Sequence, residues 1–167
     1  MRKEGWMKKA SLYIDTSVLG GLFDIADAER IKKAESLIRL IKDGLYEGFI
    51  SFLTLEEILK APHEIQEKLK SAITEAGLKI LEETEECIEL SDVYVNDEVI
   101  PAKYRNDARH IAIGVYHEVD FIVSWNYRHM VNITVRRVIN SINLRMGYKP
   151  IEIISPEEVV EYEEMEI

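Results

Sequence analysis

Four positions in this sequence carry oxygen ligands at points where strand-like segments end or helices begin. Asp15 closes the apolar run "SLYID", Glu56 and Glu57 stand in "TLEEILKA" after "EGFISFL", and Asp107 opens "NDARHIAIGVYHEV". Asn126 follows "DFIVSW", where the segment Phe121, Ile122, Val123 breaks into polar residues. Three carboxylates converging on one edge would suit a hard divalent cation, because Mg²⁺ and Mn²⁺ prefer oxygen ligands. Such an ion activates water and stabilises charge on a phosphate under in-line attack. Each residue also has an ordinary structural account. Asp15-Thr16-Ser17 fits an N-cap, Thr54-Leu55-Glu56-Glu57 fits a capping box, and Asp107 suits the first turn of a helix.

The elements that would position these residues alternate in type. "SLYID", "EGFISFL", the start of "KILEETEECIEL", "DFIVSW" and "IEIIS" have strand chemistry. Between them, "DAERIKKAESLIRLIKDG" repeats Ile31, Ala34, Leu37, Ile38 and Ile41 at helical spacing and stops at Gly44. "HEIQEKLKSAITEAG", a stretch from about Ser91, "NDARHIAIGVYHEV" and "NITVRRVINSINLRMG" complete the helical set. The pattern predicts an α/β protein with three α/β/α layers and a central parallel sheet. Ligands of such sheets bind outside the carboxyl ends of the strands, where the four positions fall.

At 167 residues the chain suits one domain spanning 1–167, with an acidic tail from about 157. The net charge of −10 argues against a general nucleic-acid coating protein. The charge is unevenly spread, however. From Phe121 to Ile151 there is no acid, while Arg128, Arg136, Arg137, Arg145 and Lys149 are present. That strip could hold a phosphate backbone, or it could be a solvated basic face. The start, "MRKEGWMKKASLYID", runs straight into a strand without an apolar region or cleavage site, and no segment suits a membrane span. A cytoplasmic protein is expected. The lone Cys87 can form neither an internal disulfide nor a cysteine metal cage and is read as inert.

The segments "LYIDTSVLGGLFD", "ISFLTLEEILKAP" and "NDARHIAIGVYHEVDFIVSWNYRHMVN" together resemble a PIN domain, the fold of many VapC-type toxin ribonucleases. The resemblance runs in order from about Leu12 to Pro156. It implies a compact Mg²⁺- or Mn²⁺-dependent endoribonuclease with a site of three or four acids. It places the first acid on Asp15, the third on Asp107, and the second on Glu57 through Ser51-x-x-Thr54-x-x-Glu57, with Glu56 as the neighbouring alternative. The fourth falls on Asn126, in the "SWN" of a subgroup that continues with an aromatic, a base and His, here Tyr127, Arg128 and His129. An amide brings a neutral carbonyl oxygen and no full charge, so the metal set is Asp15, Glu57 and Asp107, with Asn126 completing the catalytic group.

The resemblance further implies an RNA substrate held by Arg128, His129, Arg136 and Arg137, an antitoxin partner, and pairing of PIN domains into a homodimer. The alternative is a catalytically inactive PIN-fold module that binds RNA or a protein. A metal-dependent phosphatase on a similar sheet is a third possibility, but the Asp-x-Asp start of one large class is absent, since Thr16 and Ser17 follow Asp15. Among the histidines, His110 and His117 lie seven apart on one helix and are assigned to packing or surface. His63 follows Pro62 in an expected turn. His129 either meets phosphate, transfers a proton or orders its loop. Trp125 points away from Asn126 in an extended strand and belongs to the core.

Overall fold

A computed structural model describes residues 8–165. The basic residues Arg2 and Lys3 of the opening segment, and Glu166 of the acidic end, lie outside them. Five strands, β1 (Ser11–Ile14), β2 (Glu47–Ser51), β3 (Lys79–Leu81), β4 (Phe121–Val123) and β5 (Glu152–Ile154), form one sheet in the order β3-β2-β1-β4-β5. All four pairings are parallel. The central strand β1 is buried on both faces, as parallel strands covered by helices must be. Tyr13 joins one core with Tyr94, Ile111, Ile122 and Ile139, while its neighbours Leu12 and Ile14 join the opposite core with Leu37, Ile50, Val123 and Trp125. The expected three-layer α/β/α architecture with a central parallel sheet is therefore what the chain adopts.

The first core is closed by α5 (Glu85–Asn96), α6 (Arg105–Tyr116) and α7 (Ile133–Arg145). The second is closed by α1 (Thr16–Gly21), α2 (Ala28–Lys42), α4 (His63–Ala76) and α8 (Pro156–Met165). The short α3 (Phe52–Ile58) leaves the end of β2 and contributes Leu53 to one core and Ile58 to the other. In α2, Asp27 caps the first turn by accepting from the Arg30 amide, and Ala34, Leu37 and Ile41 form its buried stripe. Gly77 ends α4 in the left-handed region at φ 67°, where a side chain would be strained.

Four sequence expectations are corrected. "EGFISFL" is a strand only to Ser51, because Ser51 becomes the N-cap of α3 and turns Phe52 and Leu53 into its first turn. Helix α5 begins at Glu85 rather than about Ser91, since Thr84 accepts from the Cys87 amide and caps it there. His63 starts α4, as the helical stretch "HEIQEKLKSAITEAG" has it, and does not belong to the turn after Pro62. The acidic stretch from 157 is not a tail through Met165. Its Val159 and Val160 supply an apolar stripe that packs α8 against α2, while the glutamates face outward or find partners. Glu157 receives the Trp125 indole N–H on both oxygens at 2.9 Å, and Tyr46 donates to Glu163 at 2.6 Å. Burial of Trp125 agrees with the sequence reading, and Cys87 is buried as well, its thiol pushed up by burial.

Trp125 is seated against Gly21, and a Cβ built on Gly21 would overlap the indole ring. The ring has little room to retreat, because its N–H is held by Glu157 and Arg30 lies 5.1 Å over it. Gly21→Ala is expected to destabilise the fold by about 1–3 kcal/mol through overpacking. Urea denaturation measures this directly, and an unchanged midpoint would mean that the ring moves aside freely.

Candidate active site

Parallel pairing puts the carboxyl ends of β1, β2 and β4 on one edge, and the connections leave β1 toward β2 on one side and β4 on the other. The β1/β4 junction is thus the switch point of the sheet. Asp15 and Ser124 lie side by side there, with the Asp15 amide donating to the Val123 carbonyl at 3.0 Å. Asp15 occupies the N-cap position of α1, yet its side chain makes no capping bond. Instead Oδ2 accepts from the Ser17 and Ser124 hydroxyls, each at 2.7 Å. Those hydroxyls in turn accept the backbone N–H groups of Trp125 (3.1 Å) and Asn126 (2.9 Å). A chain of bonds therefore leads from the loop after β4 into a carboxylate that is only 5% exposed.

Glu57 is released from capping as well. The capping box of α3 is completed by Ser51 and Thr54, with the Ser51 amide donating to Thr54 Oγ1 at 3.3 Å. Glu57 lies one turn further on and reaches across the sheet edge. Its Oε1 accepts from Thr16 Oγ1 at 2.9 Å and from His110 Nε2. Burial pushes the Glu57 carboxyl up, but the His110 hydrogen bond and charge, with Thr16, outweigh it and hold the group below the usual range. Glu56 faces outward and lies 3.9 Å from Arg109.

The spacing of His110 suits packing or surface, and the structure packs it inside but also bonds it into the site. It is buried, and its Nε2 stands 3.7 Å from Asp15 Oδ1 besides bonding Glu57. Its Nδ1 shares a 2.7 Å hydrogen bond with Tyr13 Oη, which shares another of 2.7 Å with Ser51 Oγ. Burial lowers its proton affinity, yet the Glu57 bond and the charges of Asp15, Glu57 and Asp107 raise it overall. The signal for this residue was available: Asp107 and His110 are spaced i, i+3, so one helical face carries both. Ser17 and Ser124 gave no comparable signal, since serines after strands are common.

Asp107 sits in the first turn of α6. Burial, and then the negative charge of Asp15, push its carboxyl up, and hydrogen bonds from His129 and the Asn126 side chain offset this only in part. His129 is 7% exposed and its Nδ1 meets Asp107 Oδ2 at 3.0 Å, with its ring centroid 4.2 Å from that of Tyr104. Asn126 is built into the loop. Its Oδ1 accepts the His129 amide at 3.0 Å, and its carbonyl accepts those of Met130 (3.1 Å) and Val131 (2.8 Å). An aspartate here would put a second negative oxygen beside Asp107, which already feels Asp15, whereas the amide adds none.

As arranged, no three His, Cys, Asp or Glu side chains among the described residues stand close enough to hold a metal ion. The donor chemistry nevertheless fits a hard cation. The hydrogen bonds of Asp15 all fall on Oδ2 and those of Glu57 on Oε1, leaving one oxygen of each without a hydrogen bond. The effect of Asp15 on Asp107 reflects like charges held near each other, which a divalent ion would relieve. Of the basic strip, Arg128 and Arg137 are exposed. Arg136 donates to the Ile153 carbonyl at 3.1 Å, Arg145 pairs with Asp97 at 2.7 Å, and Lys149 lies 3.3 Å from Glu118.

No protein-family model matches the chain, and no curated protein matches its sequence. Solved structures do match it. VapBC2 from Rickettsia felis, bound to a DNA fragment from its promoter, matches over 87% of this chain and 98% of its own. The identity is 13% and the TM-score 0.53. The fold is PIN-like. VapC20 of Mycobacterium tuberculosis, a Sarcin-Ricin loop cleaving toxin, matches over 66% of this chain and 86% of its own, at 16% identity and a TM-score of 0.51. A toxin–antitoxin complex from Klebsiella pneumoniae matches over 74% and 93%, at 18% identity and a TM-score of 0.54. The PIN-like sheet thus brings Asp15, Glu57, Asp107 and Asn126 to one edge, while His129 and Arg136 are drawn inward and Arg128 and Arg137 stay at the surface.

The two serine hydroxyls are the direct hydrogen-bond donors to Asp15. Ser124→Ala is expected to cost about 1–3 kcal/mol, because a buried carboxylate loses a donor and the Asn126 amide loses its acceptor. Chemical denaturation of the variant measures this, and a loss near zero would mean that water replaces the hydroxyl.

Proposed function

We propose that this chain is a metal-dependent endoribonuclease of the VapC type, the toxin of a type II toxin–antitoxin pair, acting on RNA in the cytoplasm. The observation that carries this reading is the gathering of Asp15, Glu57 and Asp107 from three separate elements at the switch point of a PIN-like sheet. The Sarcin-Ricin loop cleavage named for the VapC20 structure supports the substrate class. The other two neighbours, one named as a toxin–antitoxin complex, support an antitoxin partner. Pairing into a homodimer belongs to the same reading. No helix among the described residues is long and apolar enough to cross a membrane.

Asp15, Glu57 and Asp107 would hold Mg²⁺ or Mn²⁺, which when bound supplies charge neutralisation and a more acidic water. Everything else falls to the chain. Ser17 and Ser124 orient Asp15, His129 and Asn126 orient Asp107, and Thr16 orients Glu57. Arg128 and Arg137, exposed beside the loop after β4 and on α7, bind the phosphate backbone, with Arg136 behind them. Asn126 contributes by holding the catalytic loop rather than by charge.

Asp15→Asn and Asp107→Asn are each expected to abolish Mn²⁺-dependent cleavage of a single-stranded RNA panel, measured by gel electrophoresis, a loss of at least 10²-fold. Equal cleavage by wild type and variants would overturn the reading. One observation favours a second reading, a non-cleaving PIN-fold module that binds RNA or protein: each carboxylate already has a protein partner, and none of them converge as a metal cage among the described residues. Calorimetric titration separates the two. Carboxylate-dependent Mn²⁺ binding supports the nuclease, and RNA binding without any metal binding supports the module.

A further inference from the structure

His110 touches the elements that carry all three carboxylates. It lies on α6, one turn after Asp107. Its Nε2 bonds Glu57 of α3 and approaches Asp15, which follows β1, to 3.7 Å. Its Nδ1 reaches Tyr13 of β1 at 2.7 Å, and Tyr13 Oη reaches Ser51 at 2.7 Å. Ser51 is the N-cap of α3. The imidazole is therefore tied to both ends of one seven-residue helix, directly at Glu57 in its last turn and through Tyr13 at its cap. A helix this short has little rigidity of its own, so its orientation depends on such contacts. Tyr13 and Ser51 are fully inaccessible and His110 is 1% exposed, while the Glu57 side chain keeps 25% of its surface open.

We infer that His110 is the positioning residue of the site, a cross-brace that sets α3 against α6 and β1 so that Glu57 Oε2 and Asp15 Oδ1 are presented together to a shared ligand. This rests on the metal-dependent reading above. Hydrogen-bonded partners behind metal-ligating groups commonly control affinity by about 10–100-fold. Among the described residues Glu57 has only Thr16 as a further hydrogen-bond donor, so removal of the imidazole leaves its carboxylate free to swing on a loosened helix.

The test is calorimetric titration of the full chain with Mn²⁺, without RNA, comparing wild type, His110→Phe, Tyr13→Phe, Glu57→Gln and the double variant Glu57→Gln/His110→Phe. Circular dichroism establishes that each is folded. His110→Phe is expected to weaken Mn²⁺ binding by about 10–100-fold, and Tyr13→Phe to weaken it by a smaller factor. Adding His110→Phe to Glu57→Gln is expected to change affinity less than about twofold, because His110 acts through Glu57. Wild-type affinity in His110→Phe, or full additivity in the double variant, would overturn the inference while leaving the nuclease reading intact. Should His110→Phe fail to fold, Tyr13→Phe decides: undiminished Mn²⁺ affinity there would overturn the brace. Absence of Mn²⁺ binding by the wild type would overturn both the metal-dependent reading and the brace.

Discussion

Asp15 Oδ2, buried at the end of the central strand, accepts two serine hydroxyls, and much of the surrounding structure follows from keeping that charge solvated by protein. A buried carboxylate without donors would take up a proton or open the fold. Ser17 can reach it because α1 begins immediately after β1. Ser124 can reach it because parallel pairing places the end of β4 alongside. The same hydroxyls accept the Trp125 and Asn126 amides, so the loop after β4 is pinned by the carboxylate it serves.

The charge at Asp15 propagates outward. It pushes the Asp107 carboxyl up, and it is one of the charges that raise the proton affinity of the buried His110 against the effect of burial. Each neighbouring acid accordingly has a histidine partner, Glu57 with His110 and Asp107 with His129. Asn126 fits this economy of charge. The resemblance to PIN domains expects an acid there, but a fourth negative group would stand beside Asp107, where repulsion is already present. An amide fills the same loop position, accepts the His129 amide and faces Asp107 without repelling it. The loss of formal charge is coupled to a local hydrogen-bond arrangement that needs a donor as well as an acceptor.

Fold class was legible because it depends on periodicity, which short windows reveal: five apolar runs separated by helical repeats specify a covered parallel sheet. Boundaries were less legible. Ser51 and Thr84 cap α3 and α5 at points where strand-like or charged composition suggested otherwise, and several serines and threonines could have served. The acidic C-terminal stretch read as a tail because glutamates dominate its composition. Val159 and Val160 suffice to bury one face once α2 is there to receive it.

By itself the sequence determined the layer architecture and the placing of Asp15, Glu57, Asp107 and Asn126 near strand and helix ends, because both follow from local spacing. Only the tertiary structure decided what those groups do with their oxygens. Capping and site roles have the same local signature, a small polar or acidic residue at a helix start. They separate only when partners distant in sequence arrive: Ser124 for Asp15, His110 for Glu57 and His129 for Asp107. His110 reads as packing or surface because helical spacing is a local property, whereas its two bonds depend on α3 and β1 folding against α6.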